Sequence, residues 1–457
     1  MPAEPPSDRS PLPALSRRSF VRGSTSAMAA ASLLGTGRLL AAQDKPAALG
    51  GTPVCDKQWP AWPVTEAADE ESLVHVLRSG QWFRYANPQS RVTAFEEQWA
   101  ESTGSRFCQT TTSGTTSLIT ALAALDIGPG DEVLVPPYTF IATVNAVLLH
   151  HALPVFVDSD PDTAQIDVSD IEGRITEATR CVMPVHLGGG CCDMDRLLEI
   201  ARRRSLSVVE DSCQTHTGQW HQRRLGTLGD AGCFSFQNSK NLTGGEGGAI
   251  LTNDQQLYYR AQAYQNQGSG RSAFEGRLTG NGGNFRLTEF QGALLLEQLQ
   301  RLDQQSRLRE SNAALLDELL EQIPGVRAKV KPEGLTRHGY HLYLFDYDPA
   351  AFAGMNKGRF QAALQAEGVP VSGGYGATNR MAWVDQIVSS RGFQRIYGPQ
   401  RMERWREQTL SLPQNDAMLT NTCWLTQSAL LTDPNRMQQI AEAIGRVQRH
   451  AGDILRG

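Results

Sequence analysis

The spacing of apolar residues along this chain changes near Phe107. Upstream, apolar positions recur every three to four residues and predict helices over roughly Glu66–Ser79 and Val92–Glu101. A polar, Pro/Gly-rich stretch precedes them and ends in "WPAWP" (Trp59–Pro63), which reads as an extended arm. Downstream, short β-branched runs alternate with helical stretches. "SGTTSLITALAAL" opens a helix after a Ser-Gly turn, "DEVLVPP" is a buried strand, "TFIATVNAVLLH" a helix and "LPVFVDSD" a strand. "RCVMPVHLGG" and "LSVVEDSC" are further strands, separated by the helix "DMDRLLEIARRR". This alternation predicts an α/β fold whose mostly parallel sheet is covered on both faces. Ligands of such sheets bind at the carboxyl ends of the strands. A long helix with room for a break is expected over about Thr288–Ile323. After Pro324, "GYHLYLFDYDP", "KGRFQAALQAEGVPV" and the amphipathic "PNRMQQIAEAIGRVQRHAGDIL" predict a smaller α+β domain. The expected divisions are an export segment (1–42), an arm with helices (43–105), a large domain (106–302) and a small C-terminal domain (303–457).

Composition narrows the function. The net charge is −5, and no basic stripe interleaved with aromatics marks a nucleic-acid surface. "ARRR" (Ala201–Arg204) reads as a solvated helix face. The eight cysteines include no C-x-x-C pair, and adjacent Cys191–Cys192 is poor zinc spacing, so no metal site is expected. Cys213 and Cys233 read as buried small hydrophobes. "SRRSFVRG" (Ser16–Gly23) is a twin-arginine pattern followed by a mildly apolar small-residue stretch that Arg38 interrupts. The stretch is too short and weak for a membrane span, and reads as an export signal cleaved near Ala42. The expected location is therefore outside the cytoplasm, in the periplasm; the alternative is a disordered tail on a cytoplasmic protein.

Lysine usage is the sharpest compositional fact. Only six lysines occur among 43 basic residues, and Lys240 is the one between Gln58 and Ala328. Lysine can lose its proton and attack a carbonyl, whereas arginine stays charged. Lys240 lies in "CFSFQNSKNLTGGEGG" (Cys233–Gly248), where an apolar strand gives way to a glycine-crowded loop. It is either a surface lysine or a nucleophilic amine. A phosphate-bearing aldehyde cofactor needs an amine, a carboxylate for a pyridine nitrogen, a stacking aromatic and a helix start for its phosphate. "SGTT" (Ser113–Thr116) offers the helix start, although a Ser-Gly-Thr cap alone is common. "PPYTF" presents Tyr138 and Phe140, either of which taken singly reads as core. "VVEDSCQTHTG" ends an apolar strand with Glu210, Asp211, Gln214 and His216, and a carboxylate buried there demands a partner.

In order along the chain, "SGTTSL", "GPGDEVLVPPYTFIAT", "PVFVDSDPDT", "PVHLGG", "VVEDSCQTHTG", "FSFQNSKNLTGGEGGAILTND" and "GGNFRLTEFQGALLLEQL" resemble the hallmarks of DegT/StrS-type sugar aminotransferases. The likeness runs from "ALGGTPVCDK" to the last helix. "GQWFRY" and "FSFQNSK" look most like the branch holding aminohydroxybenzoate synthases and scyllo-inosose aminotransferases. The resemblance implies the aspartate-aminotransferase fold (fold type I of pyridoxal-phosphate enzymes), with pyridoxal 5'-phosphate bound in the large domain. It implies that Lys240 carries the cofactor as a Schiff base and shuttles a proton, and that Asp211 pairs with the pyridinium nitrogen. Gln214 would approach the ring's phenolic oxygen and Phe140 would stack on the ring. Gly114, Thr115 and Ser235 would hold the phosphate. Asn284 would reach the phosphate of the neighbouring subunit, which implies a homodimer. His186, Trp82, Arg84 and His341 are candidate substrate contacts for which a structural role is equally expected. "EDSCQTHTG" departs from the more usual "EDAAQAHGA", which puts the packing of Cys213 and Thr217 near the cofactor in question.

The activity implied is transfer of an amino group from glutamate or glutamine to a keto-sugar, nucleotide keto-sugar or cyclitol ketone. Two alternatives remain at this point: dehydration or aromatisation of a cyclic ketone on the same cofactor, and an exported non-catalytic binding protein on the same fold.

Overall fold

A computed structural model describes residues 44–56, 58–269 and 281–457. The twin-arginine segment lies outside them. Among the described residues, no helix is long and apolar enough to cross a membrane.

Seven strands form the main sheet: β1 (Phe107–Thr111), β2 (Glu132–Val135), β3 (Leu153–Phe156), β4 (Thr179–Val182), β5 (Ser207–Asp211), β6 (Ala231–Ser235) and β7 (Gly248–Thr252). Their order is β1-β7-β6-β5-β4-β2-β3. Pairings from β6 through β3 are parallel, and β7 runs antiparallel to both β1 and β6. Every residue of β2, β3, β6 and β7 is buried, so these strands read as continuous apolar runs without alternation. Helices α1 (Ala67–Ser79), α2 (Arg91–Thr103), α3 (Gly114–Ala124), α4 (Ala142–Leu149), α5 (Met194–Arg204) and α6 (Gln255–Gln265) surround this sheet.

Helix α7 (Glu289–Leu320) leads from this layer to a second one. It runs without the break that its polar middle allowed. Buried Leu302, Ser306, Arg309, Ala313, Leu316 and Leu320 recur every three to four residues through "DQQSR", so packing holds the helical period where composition does not. The second sheet contains β8 (Val326–Ala328), β9 (Leu342–Tyr347), β10 (Val371–Ser372) and β11 (Thr422–Thr426), in the order β8-β9-β11-β10 and antiparallel throughout. Helix α8 (Lys357–Ala366) packs on it, and the Tyr347 and Phe360 rings stack with centroids 4.1 Å apart.

Between β10 and β11 the chain makes an excursion that the apolar pattern did not reveal. Helices α9 (Trp383–Ser389), α10 (Arg391–Tyr397) and α11 (Pro399–Leu410) leave the second sheet and return to the edge of the first. Trp405 Nε1 donates to the Pro154 carbonyl of β3 at 2.6 Å, and Tyr397 Oη donates to the His151 carbonyl at 2.9 Å. Arg401 pairs with buried Glu132. The two layers are thus tied at a point remote from their covalent connection. Trp405 is fully buried in the cluster that includes Leu153, Val155 and Met402. Its replacement by alanine is expected to cost about 3–5 kcal/mol, read from denaturant unfolding.

Candidate active site

The carboxyl ends of β5 and β6 and the start of α3 converge on a cavity of about 480 Å³. Gly114, Thr115, Phe140, Asp211, Gln214, Ser235 and Lys240 all line it. Sequence positions more than a hundred residues apart therefore meet in one space.

The lysine loop is built to hold a fixed shape. Phe236 packs edge-on against Phe95, with centroids 5.3 Å apart. Phe236 also closes the loop, its N–H bonding the Gly247 carbonyl at 2.8 Å and its carbonyl accepting from Gly244 N at 3.0 Å. Lys240 N donates to the Gln237 carbonyl at 2.9 Å, and Trp62 Nε1 ties the arm to the Asn238 carbonyl at 2.8 Å. Gly248 is needed for a close approach of two elements. A Cβ there would lie 2.3 Å from the Ser113 carbonyl oxygen, so β7 could not reach the start of α3.

At that start, Ser113 and Thr116 form a reciprocal capping box, with Ser113 Oγ accepting from Thr116 N at 3.1 Å. The N–H groups of Gly114 and Thr115 precede any helical carbonyl they could bond, and they open at the cavity. Gly114 is confined: an added Cβ would meet Ser235 Cβ at 2.6 Å and Cys213 Sγ at 2.9 Å.

Asp211 is buried at the end of β5. Oδ2 accepts from Thr143 Oγ1 at 2.8 Å and Oδ1 from Cys213 N at 3.2 Å. No cationic side chain among the described residues forms an ion pair with it. Burial makes a carboxylate held this way favour a cation brought into direct contact with it. Lys240 is pushed below the ordinary lysine range by burial, while the Asp211 carboxylate pulls it back up. The amine thus has a raised share of its neutral, nucleophilic form. Cys213 is held well above the usual thiol range by burial and then by Asp211, so it faces the cavity as a neutral thiol.

Other sequence candidates separate cleanly. His341 lines the cavity, with Nε2 3.4 Å from Lys240 Nζ. His186 does not: its Nε2 contacts Glu210 at 2.8 Å behind the strand, and Glu210 also accepts from the N–H groups of Gly226, Leu228 and Gly229. Arg84 is buried in a two-pronged pair with Glu96, at 2.8 and 2.6 Å. Trp82 is exposed, away from the cavity, its ring 5.6 Å from that of Phe290. Asn284 is exposed on a bridge to Asn266 and does not line its own chain's cavity. Tyr375 was not anticipated. It enters from the second layer through a glycine-flanked turn, its hydroxyl accepts from Gln214 Nε2 at 3.1 Å, and its ring lies 6.2 Å from Phe140. Its one local signal is an aromatic isolated in "SGGYGA".

Burial also makes the surroundings acid-sensitive. His216, whose Nε2 donates to the Ser235 carbonyl at 2.8 Å, is driven down to about 3, and His338 likewise to about 3. Unfolding releases both toward the ordinary value of 6.5, so the unfolded chain binds more protons between those limits. Glu210 acts in the same direction: burial alone would raise it, but His186 and the backbone N–H groups outweigh burial and lower it. Stability is therefore expected to fall as pH drops from 6.5 toward 3, and His216→Gln to flatten the slope, measured by calorimetry across that range.

The profile of the DegT/DnrJ/EryC1/StrS aminotransferase family matches residues 63–424. The chain is 36% identical over 419 residues to L-glutamine:2-deoxy-scyllo-inosose aminotransferase of Streptoalloteichus tenebrarius, covering 88% of this chain and 97% of that one. The crystal structure of 3-amino-5-hydroxybenzoic acid synthase superposes with a TM-score of 0.75 at 29% identity, covering 88% of this chain and 99% of the other. NtdA of Bacillus subtilis, solved with bound cofactor PMP, gives a TM-score of 0.69 at 25% identity, over 84% and 81% of the two chains. The fold is that of the pyridoxal-phosphate enzymes of fold type I. Within that class the chain belongs to the DegT/DnrJ/EryC1/StrS family and is a pyridoxal-phosphate-dependent aminotransferase. Its residues fit the cofactor: a buried carboxylate that no cation contacts among the described residues, an amine of lowered basicity and a helix start where Gly114 leaves no room for a Cβ.

Proposed function

We propose that this aminotransferase moves the α-amino group of glutamine to the ketone of a cyclitol, with Lys240 as its cofactor lysine. The observation that carries the reading is the convergence of Lys240, Asp211 and the start of α3 on one cavity. The choice of glutamine and a cyclitol rests on similarity to the inosose aminotransferases, which the chain covers almost end to end. Gln237, Ser239 and Glu246 line the same cavity and offer amide, hydroxyl and carboxylate groups to a polyhydroxylated ring.

Bound pyridoxal phosphate supplies an electrophilic carbon for amines and a protonated ring that accepts negative charge. The chain supplies the rest. Asp211 keeps the ring nitrogen protonated through its charge. Gly114 and Thr115 N–H groups with Ser235 Oγ hold the phosphate. Phe140, an exposed aromatic on the cavity wall, would stack on the cofactor ring. Gln214, oriented by the Gly188 N–H at 2.8 Å, presents its amide to the phenolic oxygen. Lys240 Nζ would carry the proton between the substrate carbon and the cofactor carbon, in one direction with the amino donor and in the other with the acceptor.

The enzyme works as a homodimer in which Asn284 serves the partner's phosphate site. Its exposure outside its own cavity and the exposed Trp82 and Phe83 between α1 and α2 support this. Light scattering of the pure protein tests it, and a monomer with full activity would refute it. Export by the twin-arginine route is part of the same reading, resting on Arg17 and Arg18. Residues 1–45 fused to a reporter should carry it across the membrane and Arg17→Lys with Arg18→Lys should stop it; a cytoplasmic reporter with the intact segment rejects export.

To test the reaction, α-¹⁵N-glutamine is incubated with 2-deoxy-scyllo-inosose and the products are weighed. The expected product is the ¹⁵N-labelled aminocyclitol. Loss of water without label would instead place the enzyme with the dehydrating alternative.

A further inference from the structure

We propose that Asn241 and His341 form a tautomer lock that positions the Lys240 amine. The inference rests on Lys240 being the cofactor lysine. Asn241 Nδ2 donates to the carbonyls of Gly339 at 2.9 Å and Tyr340 at 3.2 Å. Two carbonyls on the same side admit only the amide nitrogen there, so Oδ1 must face the other way. Oδ1 lies 3.2 Å from His341 Nδ1 and only accepts, so Nδ1 carries the hydrogen. The lone pair of the neutral ring is then on Nε2, which faces Lys240 Nζ at 3.4 Å.

His341 stays neutral in this setting. It is buried, and the cations around it, Lys240 and Arg309, oppose a further charge. Arg309 has no acidic partner among the described residues; Gln427 Oε1 accepts from it at 3.0 and 2.5 Å. Lys240 itself faces Asp211 and Cys213. His341 therefore acts as an acceptor and takes no proton. It is a positioning residue: it holds one N–H of a flexible four-carbon side chain and leaves the rest of the amine aimed into the cavity. The lock bridges the layers, since Asn241 and Lys240 belong to the loop after β6 and His341 immediately precedes β9.

The test uses the full chain stripped of cofactor and follows the rate at which added pyridoxal phosphate generates the visible band of the lysine-bound form. A second readout is the pH midpoint of Lys240 acetylation by acetic anhydride, measured by peptide mass. A single oriented hydrogen bond predicts a loss of roughly three- to tenfold in capture rate for His341→Leu and Asn241→Leu. His341→Gln, whose amide oxygen reaches the Nε2 position, should restore most of it and return the acetylation midpoint toward wild type. His341→Asn, too short to reach, should be as slow as expected for the leucine variant, and it carries the comparison even if the leucine variant does not fold. Capture at the wild-type rate in His341→Asn, or a glutamine variant as slow as the asparagine one, overturns the lock. Lys240→Ala separates the two claims, because a visible band in that variant would reject the lysine assignment itself.

Discussion

Lys240→Ala protein mixed with pyridoxal phosphate is expected to remain colourless and to lose at least about 10⁴-fold in turnover, more than any other single substitution. Two roles end together: the amine that bonds the cofactor and the group that carries the proton. The protein should still fold, because Nζ has one side-chain partner among the described residues, His341 at 3.4 Å. Absorbance spectra, steady-state kinetics and circular dichroism check these outcomes together. A variant with folded spectra, no visible band and no turnover is the expected result. Added small amines should not restore tight cofactor binding, since the fixed loop and not the amine alone sets the geometry.

Asp211→Asn should be the next most damaging change, lowering kcat by roughly 10²–10³-fold while leaving the visible band in place. The amide keeps the shape and can still accept from Thr143, but it lacks the charge that holds the ring nitrogen protonated. Stability distinguishes this from a packing defect. The cofactor-free protein carries a buried carboxylate whose hydrogen-bond partners are the neutral Thr143 hydroxyl and the Cys213 N–H, with the Lys240 amine acting on it only through space. Removing that charge should leave the cofactor-free melting temperature unchanged or higher. The cofactor should then raise the melting temperature of the variant less than that of wild type. A variant destabilised equally with and without cofactor would mean that Asp211 serves the fold.

Several of these residues could be read from the chain because each breaks a local rule. Lys240 is a lysine where arginine does nearly all other cationic work. Asp211 is a carboxylate at the end of an apolar strand, and Gly114 follows a helix cap. The alternation of strands and helices likewise exposes the main sheet, since buried parallel strands have few other ways to be written. Tyr375 left only a faint local signal, and the hydrogen bonds of Asn241 and His341 left none. Their meaning comes from contacts between layers, which no sequence period records. Helices α9 to α11 look like an ordinary polar segment because they bury only scattered anchors, Phe393, Met402 and Trp405 among them, against a distant edge. His186 and Arg84 show the converse. Both have the chemistry of a site, and both are consumed by a buried acid, Glu210 and Glu96 respectively.

The assignment of the lysine can be settled by one measurement. The protein, loaded with pyridoxal phosphate and freed of amino donor, is treated with borohydride, which reduces and fixes the cofactor on whatever amine it is bonded to, and its peptides are weighed. With six lysines in the chain, the modified position is unambiguous. The cofactor mass on the peptide carrying Lys240, and on no other, is the predicted result; the mass on Lys329, Lys331 or Lys357, or on no peptide of a protein that turns over, contradicts it.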